Sequence, residues 1–313
     1  MNENSRKSVE REIRRIRSLD SDLEQLITLL RDRGMSLATA GPNGQLGSFW
    51  HLEILRHSLR RLRNFIANNT DYVESLSTLA LCRSLFELVV WLKHIENNKD
   101  FALFFVREHL REIAEHSERY SLQVTREIEI YEQFAELEDQ NTHDRRYRVI
   151  KSATESYHDL ASREEFIEKE LADVIDTARR KTDEKLFLYS DNIAYGDFAF
   201  HAKILRTETL PELQDGHRAQ QADYERFRLE HAQKIEALGV KKWVWDQRAD
   251  AVGMVDEYKY IYSYTSRLLH AKPGSVLDSQ QTLSESEFPI FWRYIRQQFE
   301  WIRNCASVVL DQT

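Results

Sequence analysis

Arg83 and Glu87 stand four residues apart in a stretch, 79–92, that only they and Ser84 interrupt with polarity. A helix hydrophobic nearly all round is a buried helix, and a buried ion persists only when paired, because stripping it of water costs several kcal/mol. His94, about two turns on, falls in the same narrow arc, so the three make one charged stripe. A second polar stripe lies in 258–274. Helical spacing puts Met254, Tyr258, Ile261, Tyr262, Thr265 and Leu269 on one face, with Ser263, Ser266 and His270 stacked on its flank at i, i+3 and i+7. If the stripes meet, Arg83, Glu87, Ser266 and His270 form one polar pocket, whose residue types suit anion stabilisation and general acid–base work.

Plainer roles suit the same residues. Arg83 and Glu87 also have the spacing of an i,i+4 ion pair on a partly exposed strip, worth about 0.3 to 0.5 kcal/mol. His270 precedes Ala271-Lys272-Pro273-Gly274, a run that stops a helix, so it fits a C-terminal cap or a satisfied core histidine equally well. Tyrosines 258, 260, 262 and 264 fit core packing, each hydroxyl finding a partner at the core's edge.

The elements that would position these groups are helical. With 31% charged residues, nine glycines and four prolines in 313 residues, and almost no strand signal, the chain reads as all-α, a helical bundle. Two cysteines, Cys82 and Cys305, define no disulfide framework and no cysteine-based zinc site, and with an N-terminus lacking an apolar leader they point to a cytoplasmic protein. No uncharged apolar run reaches the roughly 18 residues of a bilayer span, so no membrane partner is expected. The formal net charge of −8 argues against indiscriminate coating of nucleic acid but leaves room for local basic patches.

Along the chain, a first helix over about 5–35 breaks near 18–21, where Ser21-x-x-Glu24 resembles a capping box. A helix over about 48–67 carries Arg56, His57, Arg60, Arg61 and Arg63. Such a face is by default a solvated surface; Arg56, Arg60, Arg61 and Arg63 are the candidates if it contacts RNA. The apolar helix ends near Asn97. A long helix then runs over about 100–138, its exposed positions strongly acidic, Glu108, Glu115, Glu127 and Glu132 among them. After a polar break at 139–144 another helix continues to about 185. The two read as a long helical hairpin inserted in the core, a shape suited to a protein partner. The aromatic stretch 186–205 returns to the core, a turn holds Pro211, and helices over about 214–238 and around Trp243 and Trp245 follow. The final helix opens with the capping box Ser284-x-x-Glu287, and Phe288, Phe291, Trp292, Ile295, Phe299 and Ile302 form its apolar face. The expected segments are 1–97, N-terminal helices with the apolar core helix; 98–186, the hairpin; and 187–313, C-terminal helices completing the bundle.

No phosphate loop, zinc-protease motif, nucleophile elbow or calcium loop is present, and no cofactor is expected. His109, Glu112 and His116 share a helix face, but without the paired E-x-x-H pattern of di-iron bundles no metal site is assigned.

The sequence R-S-L-F-E-L at 83–88, with Y-x3-Y-x3-S-x3-H-A-K-P at 258–273, resembles a bacterial all-helical family of unknown function that is similar to the HEPN superfamily (higher eukaryote and prokaryote nucleotide-binding). The resemblance covers mainly 47–97 and 240–310. It implies a HEPN-like core, a homodimer, and a role in phage defence or a toxin system. It also implies metal-independent RNA cleavage, with His270 as general acid or base, Arg83 stabilising charge on phosphorus and Glu87 orienting one of them. Arg267-x2-His270 departs from the arginine–histidine spacing of HEPN ribonucleases. Arg111-x4-His116 and Arg226-x4-His231 match it, but at a frequency chance supplies and away from the end of an apolar helix. The rival reading is a non-enzymatic interaction or regulatory module that binds a protein or RNA, its polar cluster only specifying packing.

Overall fold

The computed structural model describes residues 2–39, 46–70, 73–153, 172–182, 186–240, 242–269 and 282–312, with no strand among them. The helices are α1 (Glu3–Arg17), α2 (Asp20–Thr39), α3 (Leu46–Asn69), α4 (Ser75–Asn97), α5 (Phe101–Ala153), α6 (172–182), α7 (Phe198–Ile204), α8 (Leu210–Glu230), α9 (Ala232–Ala237), α10 (Trp245–Ala251), α11 (Val255–Glu257), α12 (Ser263–Leu269) and α13 (Glu287–Gln312). A 3-10 turn spans Ser190–Tyr195, and π turns span Leu205–Thr209 and Tyr258–Tyr262. The protein is all-α. It divides into two compact units, one of Met1–Arg107 with Glu230–Thr313, the other of Glu108–Leu229.

In the first unit α13 is the hub, packing against α1, α2, α3 and α4. Its spacing dictates this: Phe291, Trp292, Ile295, Phe299 and Ile302 are all but inaccessible, and Phe65 of α3 meets the rings of Trp292 and Phe299 at 6.3 and 5.7 Å. The helix start follows the expected cap, Ser284 N–H donating to Glu287 Oε2 at 2.7 Å. Glu12, 2% exposed on α1, accepts from Arg296 Nε of α13 at 2.6 Å, so this charge is buried with its partner. The break between α1 and α2 falls at Ser18 and Leu19, and the Leu19 carbonyl accepts the first α2 bond. Ser21 therefore lies inside α2 rather than capping it.

α4 buries Leu79, Cys82, Phe86, Val89, Val90 and Leu92. By length and composition alone it is also apolar enough to cross a membrane, with mean hydropathy 1.5 over eighteen residues of which 44% are buried here. A core helix passes the same test. The Asn98 side chain then accepts Asp100 N–H at 3.0 Å, turning the chain into α5. Gly47 sits over this turn, where a Cβ would stand 3.1 Å from the Lys99 carbonyl oxygen. α10 ends in a Schellman motif: Met254 N–H reaches the Ala249 carbonyl at 2.7 Å, Gly253 takes φ +69°, and the Met254 side chain is buried. This tight stop aims α11 and α12 across α4.

The second unit is built on α5, whose Val124, Ile128, Tyr131 and Phe134 form one core with Val174 and Ala178 of α6 and with Ile193, Phe198, Ala202 and Leu205. Four sequence expectations change here. Residues 139–144 do not break α5, which continues to Ala153. The stretch 186–205 packs on α5 within this unit, because its aromatic and aliphatic side chains match the apolar face of that helix. Pro211 sits at the start of α8 within continuous helical winding, directly after the π turn, whose wider winding accommodates it where a turn was expected. Glu127, expected on the acidic surface, is fully buried. It accepts Leu188 N–H at 2.7 Å, Tyr189 N–H at 3.1 Å and the Gln123 amide at 2.9 Å. Eleven residues on, Glu138 repeats the device, accepting Asp197 and Phe198 N–H at 3.1 Å each. The two carboxylates share a helix face and hold a non-helical return segment by its backbone. Residues 154–171, within the second arm of the expected hairpin, lie outside the described residues.

Candidate functional site

Arg83 and Glu87 lie one turn apart on α4, and Ser266 on α12 faces them. Arg83 Nε donates to Glu87 Oε1 at 3.1 Å, Nη1 to Ser266 Oγ at 3.2 Å, and Nη2 to the Tyr262 hydroxyl at 3.2 Å. The guanidinium also lies 4.8 Å from the Tyr262 ring centroid. The arginine is thus fixed in plane by a carboxylate and two hydroxyls from another element, with its side chain still 24% exposed.

The backbone explains how Tyr262 and Ser266 reach it together. Tyr258–Tyr262 is a π turn, whose wider winding shifts the side chains that follow; Ser263 Oγ donates back to the Tyr258 carbonyl at 3.2 Å. Ser263 is consequently exposed and outside the cluster, although the sequence placed it on the same stripe. Behind the guanidinium an aromatic wall forms: Phe86 meets Tyr258, Tyr262 and Trp245 at 6.2, 5.4 and 6.3 Å, and Tyr258 stacks on Tyr262 at 5.1 Å. Burial raises the Tyr262 pKa, opposed by the positive charge of Arg83, so its phenol is protonated at neutral pH and donates rather than accepts toward a ligand.

The structure therefore brings Arg83, Glu87 and Ser266 together and adds Tyr262, which the sequence reading had left to core packing. Its signal was present: Tyr262 precedes Ser266 by one turn on the flank that meets α4. His94 leaves the stripe. Its Nε2 pairs with the Arg248 carbonyl at 3.0 Å, its ring packs against Phe101 and Trp243, and burial lowers its pKa. His270 lies outside the described residues.

The basic face of α3 divides. Arg56, its side chain 13% exposed, is locked to Glu53, and Arg63 pairs with Asp20 at 2.9 Å and with Glu24 at 3.3 Å. Arg60 is exposed, and Arg61 donates to the Ser84 hydroxyl at 2.8 Å. A carboxylate neutralises each of the first two, so their charge serves packing, while Arg61 keeps its charge beside α4. Among the described residues no group of three or more His, Cys, Asp or Glu side chains is arranged to hold a metal ion.

No family model and no curated protein matches this chain, and no solved structure does.

Proposed function

We propose that the Arg83–Glu87–Tyr262–Ser266 cluster is the active site of a HEPN-like, metal-independent ribonuclease of a bacterial defence or toxin system. The observation that supports this most is the partly exposed Arg83 guanidinium, held in one orientation by Glu87 and two hydroxyls at the surface of a helical core. Cleavage within RNA needs the 2′-hydroxyl to attack phosphorus, so that O2′–P forms as P–O5′ breaks, with one proton leaving O2′ and another arriving at O5′. Arg83 stabilises the charge on the phosphoryl oxygens, Glu87 holds Arg83, and Tyr262 and Ser266 supply further donors. His270, four residues beyond Ser266 in sequence, moves the protons. In this reading the protein acts in the cytoplasm as a homodimer.

One observation favours a second reading. Glu87 balances the charge of Arg83, and Nε, Nη1 and Nη2 are all engaged, the condition of a packing lock in a protein that works by contact with a protein partner.

The test is electrophoresis of total RNA from bacteria expressing wild type, Arg83→Gln or His270→Ala at matched soluble levels. The expected result is discrete fragments with the wild type alone, with thermal midpoints of the variants within a few degrees of it. Intact RNA in all three, with Arg83→Gln strongly destabilised, would sink the nuclease and leave the packing lock.

A further inference from the structure

A groove lies between α3 and α4. Its volume is about 440 Å³, within the range of small-ligand sites. The floor is apolar, with Leu62 and Leu85 almost wholly buried and the Phe65 ring beside them. The rim is polar and, among the described residues, carries no carboxylate: Arg61 and Asn64 stand on α3, and Ser84 on α4. Among the described residues Arg61 is the one charged group lining the groove, in a chain of net charge −8. The larger cleft on the other side of α3, about 660 Å³, differs in this respect, because Asp20 and Glu24 offset Arg60 and Arg63. Ser84 follows Arg83 directly in sequence, so the groove lies on a different face of the helix that carries the guanidinium.

An apolar slot beside an aromatic ring, an amide and hydroxyl on its edge and a single cation at its mouth match one chemistry. Such a slot takes the face of an unpaired base, the rim bonds its edge, and the cation takes the adjoining phosphate. A duplex keeps its bases stacked inside and cannot fill it. We propose that the α3–α4 groove binds an unpaired nucleobase of single-stranded RNA, with Arg61 on the neighbouring phosphate. The proposal rests on the nuclease reading and specifies its substrate: single-stranded RNA.

The test is fluorescence anisotropy with a fluorescein-labelled 2′-O-methyl RNA, which binds but cannot be cleaved, as a single strand and as a duplex. Ala80 lines the groove and is exposed, so Ala80→Glu sets a carboxylate there without disturbing the core; circular dichroism and the thermal midpoint verify its fold. The single strand should bind about tenfold or more tighter than the duplex, Ala80→Glu should weaken it about tenfold or more, and Arg61→Gln should reduce the salt slope by about one. Arg119→Gln, an exposed arginine outside the groove, should leave affinity unchanged. Absence of binding by the wild type, or binding indifferent to Ala80→Glu and Arg61→Gln, overturns the groove. Groove-dependent binding beside intact unmodified RNA upholds the groove and defeats the cleavage reading alone.

Discussion

The two units bury polar groups in different ways. In Glu108–Leu229, Glu127 and Glu138 face backbone N–H groups at the two ends of the segment 188–198. In the unit of Met1–Arg107 with Glu230–Thr313, polar side chains face polar side chains across helices, as in Arg296 with Glu12 and Arg83 with Glu87, Tyr262 and Ser266. A carboxylate bound to backbone is committed to the fold, because no rotamer change can satisfy those donors. A side-chain cluster at the surface can exchange partners, and so can serve a ligand.

The comparison breaks first, and with the largest effect, at Glu127. Glu127→Ala removes the acceptor of Leu188 and Tyr189 N–H from a fully buried position, and should cost about 3 to 5 kcal/mol in chemical denaturation, with hydrogen-exchange protection lost first at Leu188 and Tyr189. If those amides stay protected, the carboxylate is not what holds the segment. Arg296→Met should cost about 3 kcal/mol, since among the described residues Glu12 would then pair with Arg11 alone, at 3.4 Å. The double variant with Glu12→Met should recover most of that loss; an additive double variant contradicts a paired buried charge.

A pH titration sharpens the contrast within the first unit. His51 is 2% exposed, neither ring nitrogen has a hydrogen-bond partner, and burial, assisted by the charge of Lys99, lowers its pKa from 6.5 to about 4. The folded state thus resists a proton that the unfolded chain accepts. Its contribution is complete above pH 6.5 and is lost as pH falls from 6.5 toward 4, about 3 kcal/mol over that window. The urea midpoint of the wild type should fall relative to that of His51→Leu as the pH drops from 6.5 toward 4; parallel curves would show that His51 does not titrate on unfolding. Smaller effects belong to the cluster. Arg83→Met should lower stability by about 1 to 2 kcal/mol, and Ser266→Ala by about 0.5 to 1, by thermal denaturation. A larger loss at Arg83 than at Glu127 would reverse the comparison and mark Arg83 as structural.

Much of the helical layout was legible along the chain. α4 announced itself as an apolar helix with an interrupting ion pair, α13 by its aromatic spacing and capping box, and the α1–α2 break by polar residues within two positions of where it falls. Glu127 was not legible. A glutamate at i−4 from Tyr131 on a glutamate-rich helix looks like surface, and only the return of 186–198 along that face encloses it. The polar run 139–144 misled for a related reason: charged residues with adequate helix propensity continue a helix unless proline or glycine intervenes.

The amino-acid order by itself determined the all-α class, the burial of α4 and α13, and the one-turn spacing of Arg83 and Glu87, because each follows from helical periodicity and the cost of wetting apolar surface. The tertiary structure alone decided which charges met. The π turn at Tyr258–Tyr262 brought Tyr262 and Ser266 to Arg83 while leaving Ser263 outside, and packing of α3 against α2 gave Asp20 and Glu24 to Arg63 but left Arg61 beside α4. Periodicity tells which side of a helix a residue occupies. What stands opposite is set by how the helices pack.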